Sequence, residues 1–120
     1  MKKILLSIFI SLFTIGVTSI LANSQGKNSE TVVIKTNIYC DHCKECESCG
    51  GKIEKDLGFN KGIKLVELNE KEQTITVTFN PKKTSVEEIR KSITLYGFDA
   101  DTLKADPTAY SKLDECCKKP

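Results

Sequence analysis

The sequence predicts an α+β domain whose elements follow the order strand, helix, strand, strand, helix, strand. Three observations lead to this prediction: a strictly alternating segment at 74–79, a capping-box pattern at Ser85 and Glu88, and glycines that separate the periodic segments. A chain of 120 residues is long enough to bury one modest core, so we expect a single domain.

Four segments have the composition of strands, being β-branched or alternating between apolar and polar residues. They are residues 31–39, 62–68, 74–79 and, as a last short strand, 99–104. In the third strand Ile75, Val77 and Phe79 share one face and threonines occupy the other, which is typical of an antiparallel strand with one face in the core. In the second strand we expect Val66 and Leu68 to face the core.

Two segments have the apolar spacing of amphipathic helices. Ile53 and Leu57 are four positions apart in a helix predicted at 52–57, which ends at Gly58. The capping box at Ser85 predicts a second helix that runs to about residue 96 and ends before Gly97. Three apolar residues of this helix fall on one face: Val86, Ile89 and Ile93.

This order of elements is that of a ferredoxin-like βαββαβ sandwich, an antiparallel four-stranded sheet with two helices on one face. We place the domain at 31–104 and a polar linker at 23–30. Residues 105–120 are polar and contain Pro107, so we expect a mobile C-terminal tail that carries Cys116 and Cys117.

The N-terminus has the pattern of a secretory signal peptide. Lys2 and Lys3 precede an uncharged apolar run at 4–21, and the small residue Ala22 follows it. We predict a signal peptide at 1–22 that is cleaved, and therefore a periplasmic or secreted protein. The alternative is an uncleaved membrane anchor, since the run is long enough to span a bilayer.

The charge of the exported part argues against nucleic acid as a partner. Cleavage after Ala22 removes two of the 18 basic side chains and leaves them equal in number to the 16 acidic ones. Binding to a phosphate backbone normally requires a basic surface. We expect a monomer whose partner is a metal ion.

Four of the six cysteines occur within ten residues, each separated from the next by two residues. They are Cys40, Cys43, Cys46 and Cys49. Disulfide-stapled domains usually distribute their cysteines along the chain, so this bunching favours metal ligation or redox chemistry.

Four neighbouring thiolates repel one another unless a cation lies between them. Sulfur coordination suits copper(I), mercury(II) or zinc. His42 is a further candidate ligand.

These residues resemble the heavy-metal-associated domain, a family found in copper chaperones, metal-transporting ATPases and the periplasmic mercury-binding protein. The family's C-x-x-C, three residues and then an apolar residue and Glu match Cys46, Cys49, Ile53 and Glu54. Residues 97–100 (Gly-Phe-Asp-Ala) are similar to its Gly-aromatic-x-Ala motif. The resemblance implies a βαββαβ fold and one soft metal held by two cysteines between the first strand and the first helix. It also implies delivery to a membrane metal transporter or another metal-binding domain.

The resemblance leaves two alignments of the cysteine pair. Counted from the first strand, Ile38 takes the place of the family's methionine and the pair is Cys40 and Cys43. Counted back from the helix, the pair is Cys46 and Cys49, so six residues carrying an extra C-x-x-C would be inserted. We prefer Cys46 and Cys49, because a helix N-terminus stabilises thiolates.

Other interpretations of the cysteines remain. A thiol–disulfide oxidoreductase would use one C-x-x-C pair, and an iron–sulfur protein would use several of the cysteines as cluster ligands. In a third interpretation the cysteines form local disulfides that have no function in binding or catalysis. Cys116 and Cys117 are adjacent and cannot form a disulfide with each other without strain. They either supply extra ligands, pair with the cluster or remain outside it.

Overall fold

A computed structural model of the chain describes residues 28–40 and 50–120. The predicted signal peptide and residues 41–49 lie outside the described residues. Within the described ranges no helix has the length and apolar character needed to cross a membrane.

The described residues form one antiparallel sheet and three α-helices. The strands are β1 (Glu30–Lys35), β2 (Ile63–Asn69) and β3 (Thr74–Phe79), in the order β1-β3-β2. The helices are α1 (Gly50–Gly58), α2 (Val86–Leu95) and α3 (Pro107–Ser111), and a 3-10 turn follows at Glu115–Cys117. The α+β class and the antiparallel sheet agree with the prediction.

The central strand β3 shows why the sheet has one buried face. Ile75, Val77 and Phe79 are buried, and the threonines between them are not. The strand register places Ile34 of β1 opposite Ile75, so β1 adds its own apolar side chain to the same face. Residues of both predicted helices pack against this face: Ile53, Leu57, Ile89 and Ile93. The alternation and the two helical faces are therefore confirmed.

Helix α2 begins and ends where its local sequence predicts. The Ser85 side chain accepts a hydrogen bond from the Glu88 backbone N–H, and the Glu88 carboxylate accepts one from the Ser85 N–H. At the other end Gly97 has a φ of +93°, the left-handed conformation in which glycine avoids the cost of a Cβ.

The predicted fourth strand at 99–104 is not confirmed. These residues form turns with an isolated bridge between Ala100 and Leu103. Asp101 takes the place of a strand beside β1: its N–H donates to the Lys35 carbonyl at 2.8 Å, and its carboxylate accepts from the Lys35 N–H at 2.9 Å. Asp101, whose φ is 54°, thus satisfies the backbone N–H and carbonyl of Lys35 at the end of β1. Residues 99–104 therefore form no ladder of hydrogen bonds with β1.

The C-terminal residues differ from the expected mobile tail. Asp106 caps α3 by accepting a hydrogen bond from the Ala109 N–H at 2.8 Å, and Pro107 occupies the first turn, where no N–H is needed. Leu113 and Cys117 are buried in the core cluster. Two apolar side chains in a polar segment are enough to fix it against the sandwich, and a count of polar residues overlooks them. We call residues 105–117 the C-terminal segment.

Candidate metal centre

Of the four predicted metal ligands, the structure describes one. Cys40 is half-buried, carries a free thiol and packs against the core cluster. Cys43, Cys46, Cys49 and the candidate ligand His42 lie outside the described residues. Among residues 28–40 and 50–120 there is no group of three or more His, Cys, Asp or Glu side chains able to hold a metal.

The chain that leads into residues 41–49 is held in place beyond the end of β1. The Thr36 N–H donates to the Gln73 carbonyl at 2.9 Å, and the Gln73 side-chain amide donates to the Ile38 carbonyl at 3.0 Å. Ile38 is 5% exposed. These contacts anchor the residues immediately before Cys40 to the turn between β2 and β3.

The chain that leaves residues 41–49 enters α1 at once. Ile53 and Leu57 bury one face of this helix, and the Glu54 carboxylate accepts a hydrogen bond from the Leu68 N–H of β2 at 2.7 Å. Glu54 therefore fixes the orientation of α1 against the sheet. The first helical turn carries no acidic side chain, so its N–H groups keep the partial positive charge of a helix N-terminus.

The residues after α2 form one wall beside the chain that leads to Cys40. Phe98 is 4% exposed and Ala100 is fully buried. Phe98 lines an open cavity of about 520 Å³ together with Tyr39 and Cys117. Phe98, the aromatic residue of the motif at 97–100, is thus part of the core, and it lines a cavity that a cysteine of the C-terminal segment also lines.

Tyr96 lies on the α1 side of the same turn. Burial raises the pKa of its phenol, the nearby Asp56 carboxylate raises it further, and a hydrogen bond with Asn60 partly opposes the two. The side chain therefore remains neutral at physiological pH. It packs beside α1 and hydrogen-bonds with Asn60 without carrying a charge.

Asp99 joins three parts of the chain around this cavity. Its carboxylate accepts hydrogen bonds from the Ala105 N–H at 2.9 Å, the Lys104 ammonium at 3.0 Å and the Asn37 side-chain amide. Burial alone would raise the pKa of Asp99, but the bonds from Ala105 and Lys104 outweigh it and hold the pKa below its ordinary value.

Sequence patterns did not identify Gln73 or Asp99 as neighbours of the chain that leads to Cys40, and they left the place of Cys117 open. The first two are polar residues in turns, and each has a hydrogen-bond partner 35 or more positions away along the chain. The doublet of Cys116 and Cys117 was noticed, but nothing local separates the exposed member from the buried one.

Comparison with known proteins places a family match on this region. Residues 45–99 match the heavy-metal-associated domain. The chain is 34% identical over 59 residues to a copper-exporting P-type ATPase of Staphylococcus saprophyticus, and 32% identical over 53 residues to one of Bacillus subtilis. These matches cover 49% and 44% of this chain, but it spans only 7% of the length of either relative.

Two solved structures are also similar to this chain. A CopZ metallochaperone is 19% identical, with 59% of this chain and 98% of that chain covered and a TM-score of 0.49. A solution structure of copper-CopA from Bacillus subtilis is 20% identical, with 61% and 90% covered and the same TM-score.

The family match begins at residue 45, so it includes Cys46 and Cys49 and leaves out Cys40 and Cys43. It also includes Glu54 and Phe98, two residues that the structure shows tying α1 to the sheet and closing the core. Residues 45–99 of this chain match a heavy-metal-associated domain.

Proposed function

We propose that this protein binds a soft metal ion through the thiolates of Cys46 and Cys49, with Cys40 and Cys43 as additional ligands. The observation that carries this proposal is the family match that starts one residue before Cys46 and continues through α1. The protein acts as a carrier or scavenger of metal, and its role is binding without catalysis.

The helix supplies the physical reason for preferring this pair. Cys49 immediately precedes α1, whose first turn has no carboxylate to offset its positive end. A positive field of this kind lowers the pKa of a nearby thiol and favours the thiolate, which is the form that binds metal. Cys40 lies at the other flank, with its thiol available as a further ligand.

Copper(I) is the ion we propose first. Both curated relatives are copper-exporting P-type ATPases, and copper(I) accepts two or more thiolate ligands. Mercury(II) and zinc are the other ions compatible with clustered thiolates. The delivery partner we propose is a membrane metal transporter or another metal-binding domain, and the protein acts as a monomer.

Export is part of the same proposal. The charged start, the apolar run and Ala22 support cleavage of residues 1–22 and a periplasmic or secreted protein. The intact mass of protein recovered from the exported fraction of a bacterium expressing the full chain tests this directly. A protein beginning at Asn23 supports the proposal, and one that retains residues 1–22 in the membrane contradicts it.

The metal proposal is tested on the same protein, purified without air and fully reduced. Titration with copper(I) against a chromogenic copper(I) chelator should show tight, stoichiometric binding, with native mass spectrometry counting the ions. Replacing both Cys46 and Cys49 with Ser should weaken binding by more than about 100-fold, since removing ligands costs more than removing the residues that orient them.

The matched control is the double variant of Cys40 and Cys43, which removes the same number of thiols from the same cluster. We expect this variant to keep a tight site and to lose affinity by no more than about 10-fold. Equal losses in the two variants would show that the helix-proximal pair has no special role. Copper affinity that stays within about 10-fold of wild type without Cys46 and Cys49 would refute the proposal.

A further inference from the structure

Two turns meet at the end of the sheet that lies away from Cys40. Cys40 follows the end of β1, whereas one turn follows Phe79 of β3 and the other precedes Ile63 of β2, its partner in the register. Because β1 and β3 are antiparallel, the length of β3 separates these turns from the Cys40 end of β1. The six residues of β3, with a rise of about 3.4 Å between neighbours, make this separation roughly 17 Å. We call residues 59–62 and 80–84 the distal tip.

Backbone contacts hold the two turns of the distal tip together. The Asn80 N–H donates to the Gly62 carbonyl at 2.7 Å. Gly62 has a φ of +86°, and a Cβ added there would lie 2.8 Å from the Lys83 Cβ and 3.1 Å from a methyl carbon of Thr84. Only glycine permits this approach of the two turns. The distal tip is therefore a preformed surface.

The distal tip and the start of β2 are rich in positive charge. Residues 57–66 and 80–86 contain no Asp or Glu and four lysines, which are Lys61, Lys64, Lys82 and Lys83. All four are exposed, and none forms an ion pair with a residue in the ranges that the structure describes. The whole chain has 18 basic and 16 acidic side chains, so its charges are nearly balanced overall but unevenly distributed.

The carboxylates around this surface do not neutralise it. Glu88 accepts a hydrogen bond from the Thr84 hydroxyl at 3.0 Å and is engaged in the cap of α2. Asp56 interacts with Tyr96, on the side toward the end of α2. Glu30 lies at the start of β1, which β3 separates from β2. With three carboxylates at its border and four lysines on it, the surface keeps a net positive charge.

Phe59 presents an aromatic ring at the distal tip. Its side chain is 80% exposed, the largest exposed fraction among the large apolar residues that the structure describes. The turn that carries it is fixed, because the Asn60 N–H donates to the Leu57 carbonyl at 3.0 Å. Single exposed apolar side chains are common on protein surfaces. An aromatic ring among lysines that lack ion pairs is instead typical of surfaces that lie at the interface of anionic lipids and water.

We propose that the distal tip docks on an anionic membrane surface, with Phe59 among the headgroups and the four lysines against lipid phosphates. Lysine stems cover apolar groups while their ammonium groups reach the headgroups. A protruding ring fits a lipid surface, which deforms around it, better than an acidic protein, which would need a pocket of matching shape. Docking keeps the Cys40 end of the sheet roughly 17 Å from the lipid-facing end. The inference adds a membrane contact to the proposed function and does not depend on metal binding.

Co-sedimentation with vesicles tests the docking on the exported protein. One set of vesicles contains equal amounts of phosphatidylglycerol and phosphatidylcholine, and the other contains phosphatidylcholine alone. We expect binding at least about 10-fold tighter to the anionic set, since each lysine near an anionic surface contributes about fivefold. Binding should weaken as the ionic strength rises from about 0.1 M to 1 M, because the screening length falls from about 10 Å to 3 Å. Equal binding to both sets, or no binding, would overturn the inference.

Paired lysine variants locate the contact. Lys82→Gln combined with Lys83→Gln should lower the affinity for anionic vesicles by about 10- to 30-fold. The matched control combines Lys71→Gln and Lys112→Gln, which change two exposed lysines outside the distal tip and alter the net charge equally. We expect the control to lose less than about 3-fold, since its lysines lie beyond the screening length from the lipid. Equal losses would contradict a localised contact. Residues 1–22 are the same in every variant and do not affect this comparison.

A single tryptophan reports insertion, because the chain contains none. The indole introduced by Phe59→Trp should shift its emission to shorter wavelengths on anionic vesicles and be quenched by lipids with brominated acyl chains. Leu103→Trp, at a residue that is 43% exposed and outside the distal tip, is the control and should show neither change. Vesicle binding without these signals at position 59, or soluble polyglutamate that binds as tightly as the vesicles, would overturn the membrane assignment. Failure to bind copper(I) would instead overturn only the proposed function.

Discussion

The sandwich and the C-terminal segment are held together by different interactions. The sandwich is closed by large aliphatic side chains with no exposed surface, among them Ile34, Ile75 and Ile93. The C-terminal segment buries Leu113 and Cys117 and otherwise depends on hydrogen bonds to carboxylates and backbone carbonyls. The sandwich is thus stabilised by a hydrophobic core. The C-terminal segment is stabilised by two buried side chains and by hydrogen bonds to the rest of the domain.

This difference predicts which region responds to solution conditions. Hydrophobic burial at about 25 cal/mol per Å² depends little on pH or redox state. Hydrogen bonds to a carboxylate weaken when the carboxylate is protonated. The C-terminal segment is therefore the part of the molecule that we expect to be released first as the pH falls.

The largest expected effect is on the sandwich. Replacing Phe79, which is 2% exposed, with Ala should lower the free energy of unfolding by ~3–5 kcal/mol, because the transfer energy is lost and a cavity remains. Chemical denaturation measures this. The control Val33→Ala, on the outer face of β1 where the side chain is 59% exposed, should change stability by no more than ~0.5 kcal/mol. Similar losses in both would contradict the one-faced core.

The next largest effect is on the contact between the end of α2 and the C-terminal segment. Gly97→Ala adds a Cβ against Ala109 in a left-handed conformation, so we expect a loss of ~1–3 kcal/mol and faster hydrogen exchange in α3. Gly58 ends α1 with nothing within 4 Å of its Cβ direction, so Gly58→Ala should leave both quantities nearly unchanged. If α3 exchanges at the wild-type rate in Gly97→Ala, the segment does not depend on this approach.

A pH dependence separates the two regions further. The pKa of Asp99 is held below its ordinary value of 3.8, so its stabilising contribution is present above that value and is lost as pH falls through the lowered pKa. Asp99→Asn should cost ~1–2 kcal/mol at neutral pH, since one acceptor is replaced by a donor, and the difference from wild type should shrink below about pH 3.8. Denaturation curves across acidic pH measure it. An offset that stays constant with pH would show that the charge of Asp99 plays no part.

The smallest effect lies where β1 leads toward the metal loop. The Thr36 hydroxyl is buried and has no hydrogen-bond partner in the part of the chain that the structure describes. Thr36→Val keeps the shape and removes the unsatisfied group, so we expect a gain of ~1 kcal/mol in the free energy of unfolding. Thr76, on the opposite sheet face and only half-buried, is the control, and its change to Val should be nearly neutral. A loss of stability in Thr36→Val would indicate that the hydroxyl is bonded in solution.

Local patterns predicted the parts of the fold that depend on neighbours along the chain. The alternation in β3, the capping box at Ser85 and the glycine stop after α2 were all visible, because each is set within a few residues. The fourth strand was not confirmed, since Asp101 alone meets the needs of the β1 edge through contacts 66 positions apart. The cysteine cluster and the family resemblance predicted a metal site, and residues 45–99 match the heavy-metal-associated domain.

By itself, the sequence determined the βαββα order of elements, the face of β3 that is buried and the match of residues 45–99 to the heavy-metal-associated domain. Only the tertiary structure decided that residues 105–117 dock, that Asp99 joins three segments and that Cys117, rather than Cys116, points inward. The reason is physical. Periodicity and capping are local properties. A docked segment with two buried side chains instead depends on a surface that is assembled from distant residues. No pattern within the segment encodes that surface.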